Sequence, residues 1–381
     1  MPRGLTSAPP PNGGLQAWVQ VVGSVFMFMA SWGTLNTFGV FQTYYQENFL
    51  SAYTPADISW IGTVQGFLLI IIGVLSGPIY DLGYLKHLIF TGAILVVLGL
   101  LTASVAYHYY SIFLSLGIAV GLVFRRLLDT VGYGWACRTL GLILAGLLVI
   151  SLAISKPYGP PALSMRRLID PRALSDPSFL FFTLALFFAF IGFYVPFFYI
   201  SDYAQAETGA SAQYAFYLLA IQNAGSAFGR VIPNIIAVRA GALPILLGCM
   251  LITTILAFSW PGTSNVAGIT VFSILYGFFS GGVVSLLPSA FTALSPDLSA
   301  VGSRFGMCFS FAGLGLLIGN PIAGVIVSKD RGYLGQALFT GSTVFVGFLF
   351  MLMATTIHRK RQVKSEASDT APSITIIENG S

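Results

Sequence analysis

Charge is what this sequence has least of. Asp, Glu, Lys and Arg make up 8 % of 381 residues, against roughly a quarter in a soluble domain. So few charges cannot cover a folded surface of this size in water, and 56 % of the residues are hydrophobic. A soluble enzyme is excluded on that ground. The 18 Lys and Arg residues fall in short loops and near the C-terminal end rather than on one face, so the net charge of +5 does not make a nucleic-acid binder. Histidine and cysteine number three each. His87, His108 and His358 lie far apart at the ends of apolar runs, and Cys137, Cys249 and Cys308 have neither zinc-like nor disulfide-like spacing. No Walker-type phosphate loop and no nucleophile elbow occurs. These absences exclude an ATP-driven pump and leave no cofactor or metal centre to expect, and the cysteines read as small packing residues.

What the chain has instead is a succession of apolar runs, 42 Gly and a 14 % aromatic share. That composition suits helices packed closely in a lipid bilayer, where Gly lets backbones approach and Tyr or Trp sit at the interface. A crossing of about 30 Å needs roughly 20 helical residues. Ten runs meet it: Leu15 to Tyr44, Ile58 to Tyr80, Leu88 to Tyr107, Thr139 to Ser155, Phe179 to Ile200, Tyr214 to Ala237, Ala242 to Trp260, Val266 to Leu294, Arg304 to Val327 and Gln336 to Ile357. An eleventh, Ser111 to Phe124, stops at Arg125 and Arg126 and is short for a span. The chain therefore divides into a Pro- and Gly-rich disordered lead (1–14), a first helical bundle (15–155), a linker (156–177), a second bundle of six helices (178–357) and a tail (358–381).

Charge sets the expected topology. The positive-inside rule puts Arg359, Lys360, Arg361 and Lys364 in the cytoplasm, and six spans earlier the linker with Lys156, Arg166, Arg167 and Arg172 falls on the same side. In the first half, a cytoplasmic start and three spans put His108 outside, yet the span before the linker also begins outside, near Arg138. Parity predicts that Ser111 to Phe124 does not cross as an ordinary span, or that the whole first half is inverted. Asn379-Gly380-Ser381 is a formal glycosylation acceptor, which a cytoplasmic tail would never present to the enzyme that uses it.

Several stretches resemble the monocarboxylate-transporter-like branch of the major facilitator superfamily, in its fungal form. Asn12, Gly13, Gly14 and Trp18 are similar to that branch's acidic-Gly-Gly-x-x-x-Trp opening, with Asn12 in place of the acid. WGTLNTFGVFQTYYQ and ISWIGTVQGFLL resemble its first two helices, and Gly77, Asp81, Gly83 and Lys86 its loop between helices two and three. FYLLAIQNAGSAFGRVIPN, AVRAG and GSRFGMCFSFAGLGLLIGNPIAG resemble helix eight, the loop after it and helix eleven. The resemblance implies an all-α membrane protein of the two-bundle major-facilitator type, with an incomplete first half: about ten full spans plus one short segment instead of twelve. GIAVGL, similar to the start of helix four, runs straight into VFRRLLDTVGYGW, similar to the outer end of helix five, so about 40 to 50 residues are absent. It also implies a multi-pass carrier in the plasma membrane that moves a small organic molecule by alternating access, with a secondary metabolite or a monocarboxylate-like solute as cargo. A transport-inactive remnant is the alternative.

Candidate working residues follow from the rule that polar groups inside spans mark a substrate path. Arg230 stands out, since a guanidinium in hydrocarbon costs several kcal/mol unless paired, wet or reaching an interface. About seven residues, roughly 10 Å, separate it from the inner end of its run, so snorkelling is open beside a substrate role. The resemblance implies a substrate-linked Arg here with an acid one turn earlier; Ser226 holds that place and supplies no carboxylate for proton coupling. It likewise implies a Lys where Asn36 stands. Asn36, Gln65, Gln222 and Asn223 are uncharged hydrogen-bonders suited either to a neutral or weakly acidic, partly aromatic cargo or to bonds between helices. Tyr194, Phe198 and Phe279 either line a pocket or pack. Asp81, Lys86 and Arg239 are the expected gating charges, with Val238 replacing the acid of the second-half loop. Gly73 with Gly77, Gly225 with Gly229, Gly277 with Gly281 and Gly315 with Gly319 are expected helix contact faces. Pro196, Pro288 and Pro321 are expected kinks.

Overall fold

The computed structural model describes residues 14–36, 38–48, 50–103, 133–155, 167–295, 301–329 and 332–369. The short run Ser111 to Phe124, most of the linker and the acceptor at Asn379 lie outside the described residues. Within them every one of the ten apolar runs is helical. The first is built of α1 (Leu15–Phe28), a π-helical turn (Met29–Gly33), α2 (Thr34–Asn36) and α3 (Phe38–Asn48). There follow α4 (Pro55–Asp81), α5 (Leu85–Ala103) and α6 (Tyr133–Ile154). The second half holds α7 (Pro177–Phe193), α8 (Val195–Glu207), α9 (Ala212–Ala240), α10 (Ala242–Ser259), α11 (Val266–Leu294), α12 (Val301–Val327) and α13 (Gly332–Asp369). Among the described residues no strand occurs.

Seven of these stretches are long and apolar enough to cross a membrane by length and composition. Three of the ten expected spans fall short of that test. The first is interrupted by its π turn, the third keeps a shorter apolar helix at Leu85–Gly99, and the sixth, α9, is 29 residues long but carries Gln222, Asn223 and Arg230 in its middle. The last helix also runs on to Asp369, so Arg359, Lys360 and Arg361 extend a helix rather than begin a loose tail.

The second half owes its packing to missing side chains. Gly225 and Gly229 of α9 meet Gly277 and Gly281 of α11 so closely that a methyl built on Gly229 would overlap the carbonyl of Phe278, and one on Gly277 that of Gln222. Backbone lies on backbone along this crossing, which is how helices gain dispersion contacts where lipid removes the hydrophobic drive. Gly315 and Gly319 do the same for α12 against the carbonyls of Phe187 and Ile191 in α7. Gly73 departs from the expected pattern, since nothing lies within 4 Å of a methyl added there. Of the three prolines, only Pro196 marks a break: α7 stops at Phe193 and α8 restarts at Val195, while Pro288 and Pro321 sit inside continuous helices. At the break the Phe193 carbonyl accepts a hydrogen bond of 2.8 Å from the Tyr276 hydroxyl, which satisfies a backbone group that a proline-interrupted ladder leaves open.

Among the described residues the halves meet chiefly along α3 on α8 and α4 on α12. Gly39 lies against the Phe197 carbonyl, Gly62 against the rings of Phe38 and Phe198, and Gly324 against Ala56. Polar groups close the same seam. Thr43 Oγ1 donates to Asp202 Oδ1 at 2.6 Å, and beside the seam, within the second half, the Tyr199 hydroxyl donates to the Asn320 carbonyl at 3.0 Å. In the first half α5 packs on α6 and α1 on α6, but α4 leans far more on α12 than on α5.

At the opposite end, the linker is tied to the second half by charge. Asp170 and Asp176 each precede a proline and cap a helix, accepting from the backbone of Arg172 and Ser178 at 3.1 Å. Their remaining oxygens hold Arg304, buried at the start of α12, at 2.8 and 3.6 Å, and Asp176 also holds Arg361 at 2.7 Å. Linker and C-terminal helix therefore share one end of the bundle.

Two expectations follow. Gly229→Ala should lower the thermal midpoint of the detergent-solubilised protein by an amount matching about 1–3 kcal/mol, whereas Gly73→Ala should leave it unchanged. The hydrogen bond from Arg304 holds the Asp170 carboxyl below the usual carboxylate range. Stability from a depressed carboxyl is present above its unfolded value of about 3.9 and is lost as pH falls through the folded one. The midpoint difference between the parent and Asp170→Asn should thus be present at pH 7 and shrink to nothing as the pH falls below about 4.

Candidate functional site

Breaks in otherwise continuous spans put backbone and side chains where a cargo can be reached. The π turn holds Trp32, half-buried, and the α7–α8 break holds Tyr194, 2 % exposed. Although they belong to different halves, their rings stack, with centroids 6.3 Å apart and planes at 25°. Behind Tyr194 stands an aromatic wall: Phe190, Phe193 and Phe197 lie with ring centroids 5.4–5.9 Å from it, and Phe190 continues to Phe309.

Arg230 joins this group. It lies ten residues before the end of α9, is half-buried, and is close enough to Tyr194 for the two to act on each other electrostatically. A helical side chain leans toward the N-terminus of its helix, which carries the guanidinium away from the Arg239 end. Asn223, seven residues earlier on the same face, donates from Nδ2 to the Leu219 carbonyl at 3.0 Å. Asn36, one turn beyond Trp32, is 4 % exposed and its Oδ1 has no hydrogen-bond partner.

The other expected residues stand apart from this centre. Phe198 is fully buried in the seam between the halves, its ring 5.0 Å from Phe38. Phe279 is half-buried with its ring against Phe278. Gln222 and Ser226 lie buried where α9 crosses α11, their carbonyls against Gly277 and Gly281. Gln65 is buried on α4, one residue from the Gly66 contact with Leu35 and Leu316. Asp81 is half-buried at the end of α4, and Lys86 and Arg239 are exposed. Asp170 and Asp176 pair with Arg304 and Arg361, and neither Lys86 nor Arg239 takes part in these pairs.

Three groups escaped the sequence reading. Trp32 had a signal, a tryptophan deep in an apolar run instead of at the interface where that residue collects. The Asp170–Arg304–Asp176 cluster had one too, because Asp-Pro twice in eight residues is a helix-start signature. Thr43 and Asp202, 159 residues apart, had none.

Comparison with known proteins agrees with this architecture. The chain is 34 % identical to the MFS-type transporter dbaD of Emericella nidulans, with 90 % of this chain and 86 % of that protein covered. It is 31 % identical to the aspyridones efflux protein apdF of the same organism, over 91 % of this chain and 79 % of that one. It is 32 % identical to the agnestins efflux protein AgnL12 of Paecilomyces divaricatus, over 89 % and 87 %. In three dimensions it is similar to the nucleoside transporter NupG, with a TM-score of 0.65 at 16 % identity, covering 89 % of this chain and all of that one. The family model described as Major Facilitator Superfamily matches residues 182–378. With helices of spanning length, two halves meeting around a central aromatic and cationic group, and relatives of this kind along most of its length, the chain belongs to the major facilitator superfamily of membrane transporters.

Proposed function

We propose that this chain is a secondary transporter that exports a small, neutral or weakly acidic, partly aromatic metabolite across the plasma membrane by alternating access. The observation that supports this most is the position of Arg230. It interacts electrostatically with Tyr194, whose ring stacks on Trp32 of the first half, and a charge inside a span is a mark of a substrate path. Two of the relatives carry efflux of a named product in their own names, which favours export over uptake of a monocarboxylate. Ser226 offers no acid one turn before Arg230. The carboxylate that does bridge the halves is Asp202, bonded to Thr43, and a coupling proton would bind there.

Cells expressing the chain should retain less of a fluorescent hydroxynaphthoate than cells without it. Arg230→Gln, at equal surface abundance, should slow that efflux about ten- to hundredfold, the worth of one hydrogen bond to a charged group. Efflux unchanged by the substitution would remove Arg230 from the path.

The second reading, a transport-inactive remnant, draws on the thin first half. There α4 has its main partner in α12. The match to dbaD runs over 385 positions while taking in only 90 % of this chain, so about 40 positions of that relative face no residue here. Inserting the corresponding segment of dbaD between Leu122 and Val123 discriminates the two. Under the export reading the chain transports without it, and under the remnant reading only the restored form does.

A further inference from the structure

The stacked pair at the centre says more about the cargo than the charge beside it. The first helices of both halves are interrupted at nearly the same height: α1 runs 14 residues before its π turn and α7 runs 17 before its break, about 21 and 26 Å from their starting ends. Interruptions at corresponding places in two halves accompany the binding level of many carriers, because irregular backbone is tolerated at membrane depth only where it is buried in protein or lines a cavity. Here each interruption also presents an aromatic face. A π turn inserts one extra residue and re-aims those that follow. In this chain that places Trp32 opposite Tyr194.

We infer that Trp32 is a specificity-determining residue, and that Trp32 and Tyr194 form a two-plate clamp for one flat aromatic ring that bears an acidic oxygen. In this structure the two plates rest on each other, with ring centres 6.3 Å apart. Carbon surfaces rest about 3.5–4 Å apart, so a ring held between two others needs about 7–8 Å between facing plates. Because each plate belongs to a different half, a relative movement of the halves opens the slot. The wall of Phe190, Phe193 and Phe197 fixes the Tyr194 plate, while half-buried Trp32 is the movable one. Arg230, which interacts electrostatically with Tyr194, suits a phenolate, enolate or carboxylate oxygen. The Asn36 Oδ1, one turn from Trp32 and without a partner, is placed to accept from a hydroxyl on the same ring. A saturated acid of equal size gains the charge but neither ring face.

This rests on the transport reading and is tested apart from it, by binding to the full chain in lipid nanodiscs. The probes are 2-naphthoic acid and its decahydro analogue. The parent should bind the aromatic acid about three- to tenfold more tightly than the saturated one, the worth of one or two ring contacts. Trp32→Leu should abolish that preference and Trp32→Phe should keep most of it. Arg230→Gln should weaken both acids alike and leave their ratio unchanged. Equal affinity of the parent for the two acids, failure to bind either, or a preference that survives in Trp32→Leu overturns the clamp. Should Trp32→Leu fail to fold, as read by its thermal midpoint, Trp32→Gln and the ratio in Trp32→Phe decide it. A clamp that binds in nanodiscs while cells show no efflux would sink the export reading alone.

Discussion

Contact of backbone with backbone, made possible by glycine, is the constraint on which the rest of this structure depends. In a bilayer the burial of apolar side chains gives helices no reason to prefer each other over lipid. What remains is close approach, and Gly225, Gly229, Gly277 and Gly281 bring α9 and α11 together until carbonyls replace side chains as neighbours. That fixes the rotation of α9 about its own axis. With its glycine face committed to α11, Arg230 is turned toward Tyr194 and the lipid is left to Phe228, Val231 and Ile235. A packing decision made by residues without side chains thus sets where the one charge in the middle of α9 can act.

The fold was legible in the sequence to an uneven degree, for physical reasons. Length and apolarity located all ten helical runs, because crossing hydrocarbon imposes a minimum that a sequence must show. Spacing of four between glycines pointed to α9, α11 and α12 for the same kind of reason. It failed at Gly73, where the spacing is present but no helix approaches. The failure shows that a small residue permits a contact without supplying its partner. Proline behaved similarly: Pro196 accompanies a break, whereas Pro288 is carried inside a helix whose other hydrogen bonds hold.

The site was legible only in part. Charge in a greasy run singles out Arg230 as a candidate because it is costly where it stands, whereas Tyr194 is one aromatic among many until its stacking on Trp32 sets it apart. Phe198 shares the composition of a pocket wall and is a seam residue, and nothing local separates the two roles. Trp32, Thr43 and Asp202 gain their meaning from partners more than a hundred positions away. Such pairings follow from how two bundles dock, which no single stretch encodes. The linker is an intermediate case, since Asp170 and Asp176 announce helix starts locally but their grip on Arg304 becomes apparent only in three dimensions.

The lean of α4 on α12, in preference to its chain neighbour α5, bears on how the protein is made. Synthesis proceeds from the N-terminus, so α4 enters the membrane more than two hundred residues before α12 exists. Among the described helices α4 must therefore wait for the partner it contacts most until the last third of the chain arrives. The shelter of this early helix comes from the C-terminal part of the chain.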